Sequence, residues 1–146
     1  MATVTAVCIS EKKGTRKHAV PSIEVKKDHG IVGDAHAGNW HRQISLLADE
    51  SVDTMRGKGV ELRPGDFAEN ILTRGIELKT LPVGTVLRVG ETRLQVTQIG
   101  KECHNDCEIR RLVGTCVMPT QGIFAVVLTE GTICPGDTIS VEESAT

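Results

Sequence analysis

From residue 64 onward the chain is a succession of short apolar runs cut by Gly and Pro turns, and that punctuation removes most folds from consideration. Arg63-Pro64-Gly65-Asp66 and Cys134-Pro135-Gly136-Asp137 share one turn chemistry. Pro sets φ, Gly supplies a positive φ, and Asp bonds nearby backbone. Leu81-Pro82-Val83-Gly84 is a further turn. The runs between these turns, Phe67–Leu72, Thr85–Val89, Arg93–Ile99, Gly122–Thr129 and Thr138–Val141, read as strands. Thr85–Val89 and Arg93–Ile99 form a hairpin through Gly90-Glu91. Upstream, residues 3–9, Val20–Val25 and Gln43–Leu47 read as strands, with Pro21 pushing the start of the second to a sheet edge. The one sizeable helix expected before residue 100 spans 49–57. Asp49 and Glu50 suit its first turn, and Gly57 and Gly59 suit its end. Val52 and Met55 give it a thin apolar face, so it should lie on a sheet. The expectation is a mainly β domain, a sandwich or barrel, with one or two short helices. The repeated Pro-Gly-Asp is turn chemistry and not duplication. No linker interrupts residues 1–146, a length that suits one domain.

Composition narrows the partners. Seventeen basic and 19 acidic residues give a formal charge of −2, with no general attraction to nucleic-acid phosphates or anionic membranes. Trp40, Phe67 and Phe124 are the only aromatics, too few to stack successive bases. The N-terminus lacks the charged and apolar regions of a signal peptide, and no segment reaches the roughly 20 apolar residues of a membrane span. Five cysteines, an odd number without a secretion signal, imply free thiols in a reducing cytoplasm. The cations of Glu11–Lys17 are expected to be solvated in a charged loop.

Three clusters could carry chemistry. In Gly33-Asp34-Ala35-His36-Ala37-Gly38-Asn39-Trp40-His41-Arg42, small residues admit a ligand to the backbone and Arg42 can grip an oxyanion with two bonds. Asp34 and His36 are two apart, on the same side of an extended chain. The alternative is a polar loop with an Asp-stabilised turn. In Gly65-Asp66-Phe67-Ala68-Glu69-Asn70, strand geometry sends Glu69 and Asn70 to opposite faces, so only one should look inward. Glu69, if buried, needs a cation, and Arg42 is the candidate. The third cluster is Cys103, where a strand pattern gives way to a helical one. Lys101 precedes it, and Arg110 and Arg111 follow within two turns. A helix N-terminus and nearby cations favour a thiolate, the form that attacks electrophiles, carries sulfur and binds soft metals. The alternatives are a buried packing residue, or a zinc site built from Cys103, His104, Cys107 and Cys116.

Taken in order, these motifs resemble the MOSC domain family, named after the C-terminal domain of eukaryotic molybdenum cofactor sulfurase. The resemblance rests on Gly33-Asp34-Ala35-His36-Ala37-Gly38, Arg42-Gln43-Ile44-Ser45-Leu46, Pro64-Gly65-Asp66-Phe67-Ala68-Glu69-Asn70, Leu81-Pro82-Val83-Gly84 and Cys103, across about residues 20–141. It is nearest the small bacterial stand-alone members. It implies a β-barrel and a role with the molybdenum cofactor. Cys103 would carry sulfur as a persulfide or sit at the metal as a thiolate. Asp34, His36, Arg42, Glu69, Asn70 and Lys101 would line the cofactor site. Some relatives instead use the bound cofactor to reduce N-hydroxylated compounds. Two departures stand out. Glu102 occupies a position where many relatives have Pro, which opposes a lowered thiol pKa. The pyridoxal-dependent desulfurase domain of larger members is missing, so no pyridoxal phosphate is expected, and a separate sulfur or electron donor protein is. The remaining alternatives are a module that binds cofactor or anion without chemistry, and a structural zinc protein.

Overall fold

The computed structural model describes residues 2–11, 17–35, 37–53, 64, 65, 67, 69–99 and 122–142. Eleven strands are found among them: β1 (Ala2–Ile9), β2 (His18–Val20), β3 (Ile23–Lys26), β4 (Gly30–Ile31), β5 (Ile44–Ala48), β6 (Ile71–Arg74), β7 (Val86–Val89), β8 (Thr92–Ile99), β9 (Ile123–Thr129), β10 (Gly131–Ile133) and β11 (Thr138–Glu142). One helix, α1, covers Asp49–Asp53, and a single 3₁₀ turn covers Leu78–Thr80.

Seven strands close into a mixed barrel in the order β1, β11, β7, β8, β9, β5, β6 and back to β1. Closure depends on β1 sharing its outer edge. Ala2 and Thr3 pair with Ile139 and Thr138 of β11. Val7 to Ile9 then pair with β2, which stands outside the ring. Closing the ring leaves no long open edge, which answers the aggregation hazard of an all-β chain. Among the described strands only β5 and β6 run parallel, in the register Leu46 to Ile71. The chain must therefore cross over between them, and α1 lies on that crossover. A second sheet of three strands has the order β10, β3, β4.

The barrel interior holds Ile44, Leu46, Ile71, Leu87, Leu94, Val96, Ile123 and Ala125, all essentially without solvent contact. β5 is buried along its whole length. Ile44, Leu46 and Ala48 point into the core, and the intervening Ser45 and Leu47 are covered from the other side.

The expected hairpin is present: β7 and β8 pair from Val89–Thr92 outward, and Gly90 at φ +58° makes the turn. Two expected strands are corrected. Val20–Val25 is two strands, because Pro21, which has no N–H, ends the pairing with β1 and the chain then joins the second sheet. Phe67–Leu72 is not a strand throughout, since β6 begins only at Ile71. The Glu69 carboxylate accepts from the backbone N–H of Gly65 (2.9 Å) and of Phe67 (3.1 Å), holding this stretch in a turn. α1 starts at Asp49 as expected and buries Val52; positions 54–57 lie outside the described residues.

Candidate functional site

Three loops meet beside β1: residues 32–42, the segment 64–70 and the stretch entering β2 at Lys17. After β4 the chain turns at Asp34, whose N–H donates to Ile31 O at 3.2 Å. Its carboxylate oxygen Oδ1 accepts from Ser10 N–H at 3.1 Å and from Lys17 Nζ at 2.7 Å. Ala35 N–H donates to Ser10 O, and Ala37 N–H to Asp34 O. Gly38 N–H reaches back to His29 O. The chain turns at Asp34 through backbone bonds, and the carboxylate bonds Ser10, just after β1, and Lys17, just before β2.

At Lys17 the expectation of solvated cations is corrected; Lys12, Lys13 and Arg16 lie outside the described residues. The Lys17 side chain and that of Asp34 are both fully buried. Burial pushes the Lys17 ammonium below the usual lysine range, while the charge and hydrogen bond of Asp34 pull it back up. Smaller upward pulls come from Cys8 and Glu69. Nothing local in the sequence distinguishes Lys17 from Lys12 or Lys13. Its role is visible only once β1 and the turn at Asp34 are brought together.

Glu69 and Asn70 are both buried, against the expectation that only one faces inward. The alternation rule does not apply, because both precede β6. Asn70, just before β6, clamps two strands, β5 and β1. Its Oδ1 accepts from Ser45 N–H (3.0 Å) and Ser45 Oγ (3.1 Å), and its Nδ2 donates to Cys8 O at 3.0 Å. Its backbone N–H donates to Ser45 O, and its carbonyl accepts from Cys8 N–H at 2.7 Å.

Arg42 follows the same loop as it enters β5. Its guanidinium carbon lies 4.8 Å from the centre of the Trp40 ring and 5.6 Å from that of Phe124. Its Nε is buried with no hydrogen-bond partner among the described residues. Next to it, His41 Nε2 bonds Gln98 Oε1 at 2.9 Å, and Thr97 Oγ1 donates to His41 O. The end of β8 therefore packs on this loop. The contacts of Arg42 with Trp40 and Phe124 were not anticipated.

His36, Lys101 and Cys103 lie outside the described residues, as do His104, Cys107 and Cys116. Cys8 is buried and Cys134 is half-buried. No group of three or more His, Cys, Asp or Glu able to hold a metal occurs among the described residues. No helix among them is long and apolar enough to cross a membrane.

The fold is thus a closed seven-stranded mixed barrel, with loops fastened to β1 and β5 by the bonds of Asp34 and Asn70. The MOSC domain family model matches residues 33–140, and the chain belongs to that family. Among solved structures it is similar to the YUAD protein of Bacillus subtilis, at 19% identity and a TM-score of 0.78, covering 99% of this chain and 97% of that one. It is also similar to YiiM from Geobacillus stearothermophilus, at 19% identity and a TM-score of 0.73, covering 98% and 76%. YiiM from Escherichia coli follows at 16% identity and a TM-score of 0.67, covering 99% and 71%. At such identities the likeness is one of fold. No curated protein sequence matches the chain.

Proposed function

We propose that this MOSC protein binds the molybdenum cofactor at Arg42 and carries sulfur on Cys103 for a molybdenum centre. The observation that carries the reading is the buried, unbonded Nε of Arg42 between two aromatic rings. A buried donor without an acceptor costs stability, and a ligand oxygen removes that cost. A guanidinium with a free edge suits phosphate or another oxyanion, and an aromatic face beside it suits a flat heterocycle. The donor set therefore fits an anionic pterin. Arg42, with His36 and Lys101, would hold it. Asp34, Glu69 and Asn70 would keep the loops of the pocket in place through the bonds described above. When bound, the cofactor supplies a metal centre that accepts sulfur.

In the sulfur-carrying step, the Cys103 thiolate attacks the outer sulfur of a persulfide on a separate donor protein. The new S–S bond forms at Cys103, the donor's S–S bond breaks, and the donor leaves as a thiolate.

The test is mass spectrometry and visible spectroscopy of protein purified from cells grown with and without molybdate. Bound cofactor in the first preparation, and a gain of one sulfur at Cys103 on incubation with a persulfide donor, are expected. Arg42→Met should lose the cofactor while keeping the fold. Cys103→Ser should lose the added sulfur. Full function in Cys103→Ser would instead favour a binding module without chemistry.

A further inference from the structure

Lys17, buried against Asp34, is a charged group of the described core to which the proposed function gives no role of its own. A buried ion pair is a weak source of stability, because desolvation offsets most of the attraction, and an apolar pair of similar volume does as well. What it supplies is a single geometry. At this position that geometry joins the two loops of the candidate site. The Lys17 backbone N–H donates to Gly65 O at 2.8 Å, which fastens the 64–70 segment. The Lys17 ammonium donates to Asp34 at 2.7 Å and to Ser10 Oγ at 3.3 Å. Ser10 N–H and carbonyl in turn bind Asp34 Oδ1 and Ala35 N–H, which fastens the 32–42 loop to β1. The packing leaves no slack: a Cβ on Gly65 would stand 2.2 Å from Lys17 O.

We propose that Lys17 is a positioning residue for the ligand site, setting the 32–42 loop, and with it Trp40 and Arg42, through Asp34. This rests on the binding role proposed above. Asp34 is the point where the loop leaves the second sheet, and Ala37 N–H bonds its carbonyl. Releasing its carboxylate frees the first turn of the segment that carries the arginine. The chain's single tryptophan sits in that segment with Arg42 against its ring, so the molecule contains its own reporter.

The experiment uses the full chain with Lys17→Met, the charge-balanced double variant Lys17→Met/Asp34→Asn, and Val127→Ala as a control in the core. Trp40 emission and its quenching by acrylamide are read alongside the melting temperature. Affinity is read with molybdenum cofactor released from a molybdoenzyme. Expected is a red shift and greater quenching in the double variant at a melting temperature no lower than the control's. Its affinity should fall about tenfold, as loss of a group that orients a ligand-binding residue typically gives. The control should keep wild-type emission and affinity. If Lys17→Met does not fold, the double variant still decides. Wild-type Trp40 emission in the double variant would overturn the proposal, as would a control whose affinity falls as far. Should the wild-type protein bind no cofactor, the binding role fails, and Trp40 emission alone decides whether Lys17 sets the loop.

Discussion

Asn70→Asp replaces one NH₂ by oxygen at a wholly buried position, and its effect can be worked out from three hydrogen bonds. The amide has one orientation: Ser45 N–H can only donate, so it faces Oδ1, and Cys8 O can only accept, so it faces Nδ2. A carboxylate would set an anionic oxygen against the Cys8 carbonyl. The protonated acid can instead donate to it. The introduced carboxyl is therefore held neutral in the folded state, with its pKa raised by burial by about 3 units. Each unit is worth ~1.36 kcal/mol, giving about 4 kcal/mol in all. Because the folded pKa is the higher one, the folded state keeps a proton that the unfolded chain releases. The variant is closest to wild type in acid, and it loses stability as pH rises from the unfolded value near ~4 through the folded one. A loss of this size is a large part of a domain's usual ~5–15 kcal/mol. The assay is urea unfolding followed by Trp40 fluorescence for both proteins across this range. A variant–wild-type difference that stays constant with pH, or that shrinks as pH rises, would refute the orientation and burial argued for Asn70.

Gly65→Ala should cost about 2–5 kcal/mol, since a left-handed backbone and a backbone clash act together; Gly65 has φ +91° and Lys17 O lies 2.2 Å from the added carbon. Gly84→Ala, at φ +99° with nothing near the added carbon, should cost only the backbone strain, about 1–2 kcal/mol. Equal losses in urea titrations would argue against the close approach at Gly65. On the surface, Arg93 grips Glu142 with two bonds of 2.8 and 2.7 Å, and the Arg93 hydrogen bond holds the Glu142 carboxyl below the usual range. The depressed pKa means this contribution is present above the ordinary carboxylate range and lost as pH falls through the folded value, and salt weakens it because both groups are partly exposed. Arg93→Leu should return the Glu142 titration, followed by carboxyl NMR, to the ordinary range; an unchanged titration would count against the pair.

What could be read along the chain was whatever local chemistry decides. Pro135-Gly136 is a turn and Gly90-Glu91 closes a hairpin because these residues bias their own backbone torsions, whatever surrounds them. The helix start at Asp49 followed from its acidic first turn. The barrel, and Arg42 as a candidate ligand residue, were legible through the ordered motifs of a family. The partners of these residues were not. Glu69 looked like a strand residue that Arg42 would pair, but it sits in a turn, accepts from that turn's backbone, and acts on the charge of Lys17. Lys17 looked like one of several solvated cations, and Asp34, 17 residues away, buries it. Both outcomes depend on which strand lies beside which. Ring closure through β1 and β11 joins the two ends of the chain, and the parallel β5–β6 pair requires a crossover of more than 20 residues. Such contacts form between groups far apart in sequence, so no local propensity encodes them. Buried charges and amides then take the partners that packing brings within reach, because leaving them unpaired in a dry interior costs more than almost any local preference.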